Sequence, residues 1–377
     1  MGLAVEQGAG LGAGAEAGPP GRLVSLDAFR GATIAGMILV NNLGDHSNAY
    51  GPLLHAPWHG WTMTDLVFPF FLWIMGVAMT FSFASRLERG AAPSSLLNHI
   101  GRRAGLLFAL GLFLNAFPHF DLANLRYMGV LQRIALCYLF GSLIYLWSGF
   151  RGRVFWCAGL LALYWGLMKL YPVPGYGAGV LELPGNFAQY ADSLVLKGHL
   201  YRNQLMWDPE GLVSTLTAVT NTLFGTLCGS ILREGEERGE KLRSMAFWGA
   251  GLVALGLLAD RWLPVNKNLW TSSYAMFTSG LAFLSFAACW WAIDARGWRG
   301  WAWPLVVFGR NAIAVYTASG MLARVMALTG WKAAVHGGWL LPVLSAKNAS
   351  AAYGLLNVAA LFGLAWLLHW RRWYVRL

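Results

Sequence analysis

Long apolar runs recur from Leu26 to Trp370, and they constrain this chain more than any other feature. A helix rises only about 1.5 Å per residue, so crossing a hydrocarbon core of about 30 Å takes roughly 20 apolar residues. Ten stretches meet or approach that length: 26–44, 62–84, 103–118, 128–148, 154–171, 212–232, 244–262, 273–293, 302–327 and 351–370. The third is short, and the ninth is interrupted by Arg310 and Asn311. Of the 377 residues 57% are hydrophobic and 12% charged, whereas soluble domains carry about 25% charge. The expected fold class is therefore all-α, a polytopic membrane helix bundle of about ten spans forming one domain over residues 22–377. The Gly/Ala-rich segment 1–21 lacks the basic start and apolar core of a signal peptide. It is expected to be a disordered cytoplasmic tail.

Basic residues set the orientation. The net charge of +11 is spread through short loops, not gathered on one face as nucleic-acid binding requires, so no nucleic-acid partner is expected. One set of loops carries Arg22 and Arg30, Arg86 to Arg103, Arg151 and Arg153, Arg233 to Arg243, Arg296 and Arg299, and Arg371 to Arg376. The opposite set holds only Arg126, Lys197, Arg202, Lys267, Lys332 and Lys347. The positive-inside rule places the first set, with both termini, in the cytoplasm. The long stretch 172–211 then faces outward, together with 45–61 and 263–272. Loops of this length and polarity on a membrane scaffold point to binding surfaces.

Polar groups at membrane depth are expensive and mark functional candidates. Asp27 and Arg30 are spaced to pair on one helix face. Asn41 and Asn42 close the first span, and Asp65 opens the second, where the helix dipole favours a carboxylate. Arg133, beside Gln132 inside the fourth span, needs a carboxylate or ligand partner, with Asp208 and Glu210 as candidates. His55 and His59 lie close together in the first outward loop, but Pro57 and Gly60 argue against the helix that a metal pair would need. No metal site is expected. A neutral imidazole there can take a proton from a nucleophile or itself attack an acyl group, which makes His55 or His59 a catalytic candidate. The four cysteines all lie in apolar runs and read as small buried hydrophobes.

Six segments, RLVSLDAFRG (22–31), MILVNN (37–42), HAPWHGWTMTDLVFPFFLWIMG (55–76), GVLQRIALCY (129–138), DPEGLVSTL (208–216) and NKNLWTSSY (266–274), resemble in order the heparan-α-glucosaminide N-acetyltransferase family. FGRNAIAVY (308–316) follows more loosely. The resemblance implies a transmembrane acyltransferase that moves acetyl from cytosolic acetyl-CoA to the amine of a glucosamine on the far side. It assigns the catalytic histidine to His55 and the associated asparagine to Asn41, with Asn42 as the alternative register. Acetyl-CoA is expected to be held by Arg30, Arg102, Arg103, Arg310 and Asn311. The acceptor is expected at Trp58, Asp65, Arg133, Asp208, Glu210, Asn266, Lys267 and Trp270. His55 acts in this reading either as base or as acetyl carrier. The expected setting is a bacterial inner membrane, with an amino sugar, membrane lipids and a second copy of the chain as partners. Competing readings are an O-acyltransferase of a surface polysaccharide and a transporter of sugar or lipid-linked sugar.

Overall fold

The computed structural model describes residues 23–201, 207–235 and 237–375. The expected tail, 1–21, lies outside the described residues, as do Arg22, Arg202 and Arg376 of the charge count. The described chain is helical and contains no strand, only two isolated bridges. Its helices are α1 (Val24–Asn41), α2 (Val67–Glu88), α3 (Pro93–Ala116), α4 (Val130–Trp147), α5 (Phe150–Leu170), α6 (Phe187–Val195) and α7 (Leu212–Glu234). There follow α8 (Arg238–Ala259), α9 (Ser272–Trp290), α10 (Trp303–Arg310), α11 (Ala312–Leu328), the one-turn α12 (Trp331–Ala333) and α13 (Ala346–Trp370).

Each of the ten apolar stretches forms helix, but they are not equivalent. Seven helices are long and apolar enough to cross a membrane: α2, α4, α5, α7, α8, α9 and α13. The pair α10 and α11 makes an eighth if its two arms count as one span. Asn311 leaves helical geometry between those arms (φ −121°, ψ 33°), and the chain bends there by 71°. The interruption read from Arg310 and Asn311 is thus a real break. Helices α1 and α3 fall outside the apolar class. α1 carries Asp27 and Arg30 in its first turns, and α3 opens on the polar PSSLLNHIGRR segment.

Segment 172–211 is not loop throughout. Asn186 caps α6 by accepting from the Gln189 amide at 2.8 Å, and Ala188, Gln189 and Asp192 turn inward.

Burial explains the uneven chemistry of the helices. α7 sits at the centre, with 89% of its most apolar window buried, against 22% for α8. A lipid-facing helix could not carry the seven Ser, Thr and Asn residues between Ser214 and Thr226 so cheaply. Here most of the hydroxyls return to their own helix backbone, as Thr217, Thr220 and Thr226 do at 2.7–3.1 Å. Asn221 crosses to α9, donating to the Ala275 carbonyl and the Ser279 hydroxyl. Around α7 the core is aromatic, with Trp73 fully buried against Phe283 and Phe286 at ring distances of 5.1 and 5.4 Å.

Candidate active site

One continuous cavity of about 960 Å³ runs along the helices. α2 lines its whole length through Phe68, Phe71, Met75, Met79, Ser82, Arg86 and Arg89, a single helical stripe of three- and four-residue steps. α1 contributes Arg30, Ile34, Met37 and Asn41 by the same periodicity. From Phe68 to Arg89 is about 32 Å at 1.5 Å per residue, close to the thickness of a hydrocarbon core. The two ends of the cavity are chemically opposite.

At one end stand His55 and Asn41. His55 Nδ1 lies 2.6 Å from Asp65 Oδ1, with the histidine half exposed and the carboxylate fully buried. The local chain builds this pair. Thr62 and Asp65 form a capping box on the short 3₁₀ turn Met63–Leu66 that leads into α2. Asp65 Oδ2 accepts the amides of Ala56 and Thr62 at 3.0 and 2.9 Å. The Tyr274 hydroxyl donates to the Asp65 carbonyl at 2.5 Å. A carboxylate at Nδ1 holds the proton there and leaves Nε2 with a lone pair, the tautomer that can accept a proton or attack an acyl carbon.

The alternatives raised by the sequence separate in space. His59 pairs with Glu182 at 2.9 Å and meets Asn266, and it does not line the cavity. Asn41 faces the cavity, whereas Asn42 is buried and donates to the Ile38 carbonyl at 2.7 Å and to Ser319 at 3.1 Å.

Arg126, Glu210, Lys267, Asn268 and Trp207 complete this end. Arg126 grips Asp208 with Nε and Nη2, at 2.8 and 2.5 Å, and also donates to Glu210. The carboxylates expected to serve Arg133 are therefore taken by Arg126. Arg133 instead lies fully buried, donating to Ser214 and the Gly211 carbonyl, its guanidinium 4.7 Å over the Trp270 ring. Burial pushes the Lys267 pKa down, partly offset by Glu210 and Asp65. For Glu210, burial pushes the pKa up, but Arg126, Arg133 and Lys267 outweigh it and hold the carboxyl below its ordinary range.

The other end is basic. Arg30, Arg86, Arg89, His99, Arg103 and Arg310 line it with Tyr374. Arg30 pairs with Asp27 at 3.2 Å, the helical ion pair its spacing suggested. Arg103 lies 4.7 Å over the Tyr138 ring, and Arg310 donates to the Tyr374 hydroxyl at 3.3 Å. The Nε atoms of Arg103 and Arg310 are buried without a hydrogen-bond partner among the described residues. Buried, unpartnered guanidinium N–H groups suit an anion with several oxygens, such as a phosphate.

Of the residues singled out from sequence, Asn41, His55, Arg30, Arg103, Arg310, Glu210 and Lys267 line this one cavity. Asp65 stands behind His55, and Asp208 behind Glu210. Arg102 is exposed outside it, and Asn311 accepts from the Val375 amide at 3.1 Å. Asn266 and Trp270 are buried in the 263–271 turn: Asn266 accepts from the Leu269 amide, and Trp270 donates to Asn221 at 2.8 Å. Trp58 packs edge-on against Trp207. Sequence reasoning missed Arg86, Arg89 and His99 as cavity groups, counting the arginines only as loop charge. The signal was present, because Arg86 and Arg89 continue the apolar stripe of α2 in register.

The sequence model described as Heparan-alpha-glucosaminide N-acetyltransferase, catalytic, matches residues 22–174, a span that contains Arg30, Asn41, His55, Asp65 and Arg103. The human protein named Heparan-alpha-glucosaminide N-acetyltransferase is 31% identical over 79% of this chain and 52% of its own length. The mouse protein of the same name is 29% identical over 83% and 55%. The chain thus spans about half the length of the curated relatives it matches. On the match to the catalytic region and the similarity over most of its length, the chain is a relative of the heparan-alpha-glucosaminide N-acetyltransferase family.

Proposed function

We propose that this protein is a multi-pass membrane N-acetyltransferase that takes acetyl from acetyl-CoA on the cytosolic side and transfers it to the amine of a glucosamine-type sugar on the other. The observation that carries the proposal is the single cavity with a basic mouth at one end and the His55–Asp65 pair at the other. The basic mouth suits the nucleotide phosphates, and the apolar stripe of α2 suits the chain that carries the thioester. At the far end the sugar amine attacks the thioester carbonyl, the carbon–sulfur bond breaks, and His55 Nε2 takes the proton shed by the nitrogen before returning one to the CoA sulfur. Asn41 can donate its side-chain amide to the carbonyl oxygen as charge develops there. The same imidazole can instead accept the acetyl group and pass it on. A bacterial inner membrane is the proposed setting.

The test is transfer of labelled acetyl from acetyl-CoA to glucosamine by the purified protein in detergent. His55→Ala is expected to lower turnover by about 10²–10⁴-fold, the scale of a lost general base, while acetyl-CoA binding survives. His59→Ala is expected to retain turnover. The opposite result for the two histidines would reject His55, and label trapped on His55 would favour the acetyl-carrier route over direct transfer.

A further inference from the structure

Glu210 is the only carboxylate among the described residues that line the cavity, and it stands at the His55 end. Its neighbours hold it in place. Asp208 occupies both Nε and Nη2 of Arg126 and accepts the Glu210 amide at 2.9 Å. Glu210 Oε2 takes a further bond from Arg126 Nη2, which leaves Oε1 without a partner among the described residues. One guanidinium thus serves two carboxylates, and Oε1 is left to accept from a donor in the cavity, with the charges of Arg126, Arg133 and Lys267 keeping Glu210 ionised. Lys267 lines the same end but makes no ion pair within 4.0 Å among the described residues, so it does not cap that oxygen.

A sugar amine flanked by electron-withdrawing oxygens has a basicity comparable with an α-amino group, pKa about 8, and so arrives mostly as ammonium at neutral pH. Its acetylated product is a neutral amide, and a hydroxyl acceptor never carries the charge. Resting on the transfer reading above, we propose that Glu210 is the residue that selects the acceptor: it holds the substrate as an ammonium ion, discriminates amine from hydroxyl, and releases the product once the charge is gone. The ammonium must shed one proton before attack, for which Oε1 is the base at hand and solvent the destination; the second, released as the carbon–nitrogen bond forms, goes to His55 Nε2 and on to the CoA sulfur.

Equilibrium binding of glucosamine and of N-acetylglucosamine to the full chain in detergent at pH 6.5 tests this without requiring turnover. Wild type is expected to favour glucosamine. Glu210→Gln is expected to weaken glucosamine by about 10–100-fold, the range of a charge-assisted hydrogen bond, while leaving N-acetylglucosamine and acetyl-CoA unchanged. Glu210→Asp, which keeps the charge, is expected to retain the preference. Equal weakening of both sugars, a preference that persists in Glu210→Gln, or no preference in wild type would each overturn the assignment. Wild type that shows the preference but transfers no acetyl group would overturn the transfer reading while supporting Glu210 as the amine site.

Discussion

Three donors converge on the buried carboxylate of Asp65: the His55 ring and the amides of Ala56 and Thr62. An amide side chain has one acceptor oxygen and turns its NH₂ toward a donor, so Asp65→Asn cannot satisfy all three while His55 Nδ1 keeps its proton. An unmet buried donor costs about 1–3 kcal/mol. We expect Asp65→Asn to lower the thermal midpoint in detergent and to reduce acetyl transfer by at least about 10²-fold, more than its effect on acetyl-CoA affinity. Asp192 gives a pH dependence of opposite origin. Burial raises its carboxyl to about 7, although the Leu212 amide bonded to it pulls the other way. The unfolded chain loses that proton near the ordinary 3.8. Between about pH 4 and 7 the folded state therefore holds a proton the unfolded state has lost, so stability falls as pH rises through this window and levels off above it. Protection of the Phe187–Leu196 amides, taken relative to their intrinsic exchange rate at each pH, is expected to be lower at pH 8 than at pH 5, and Asp192→Asn should flatten that difference.

At the level of elements, α2 and α7 approach through glycine. A Cβ on Gly76 would overlap the Thr222 carbonyl oxygen, one on Gly225 would overlap that of Trp73, and one on Gly229 would come 2.6 Å from the Thr80 side chain. Gly225 and Gly229 are four apart, the small-residue spacing that lets helix backbones meet in a membrane. Gly31 and Gly309 play the same part between α1 and α10. Because α2 lines the full cavity, separating it from α7 moves the basic mouth and the His55 end together. Gly76→Val and Gly225→Val are each expected to lower the yield of folded protein and abolish transfer. Gly105→Val, where nothing lies within 4 Å of a new Cβ, is expected to leave the stability within about 0.5 kcal/mol of wild type.

Across the whole molecule the cavity joins two chemically opposite mouths, and the loop charge count predicts which faces the cytosol. A cysteine introduced at exposed Lys197 is expected to react with an impermeant reagent from outside intact cells, and one at exposed Glu237 only after the membrane is opened. The reverse pattern would invert the orientation. Native cysteines will interfere little, because Cys137, Cys157 and Cys228 are buried and Cys289 partly so. At the basic mouth, Arg103→Gln is expected to weaken acetyl-CoA binding by about tenfold or more, one lost charge-assisted contact. Arg102→Gln, on the exposed side of α3, is expected to leave it unchanged. Comparing the two by direct titration separates a specific phosphate contact from the general attraction of a basic surface.

The apolar runs were enough to establish a helical membrane bundle, because satisfying backbone hydrogen bonds in hydrocarbon leaves a chain little alternative to helix. Sequence also marked the break at Arg310–Asn311, and its family-like motifs put forward His55 and Asn41, both of which line the cavity. What it could not supply was pairing between distant segments. Arg133 and Arg126 are both arginines toward the His55 end with Asp208 and Glu210 as candidate partners, and only the packing of α4 against α7 gives the carboxylates to Arg126 and buries Arg133 over Trp270. Asp65 reads locally as a helix cap, and it is one, but its hold on His55 depends on how the 45–61 loop folds back over the start of α2. Arg86 and Arg89 read as inside-rule charge until α2 is seen to line a cavity from end to end. Helix formation follows from local composition and solvent, whereas the partner of a charge is fixed by which helices touch, and that is a property of the assembled bundle.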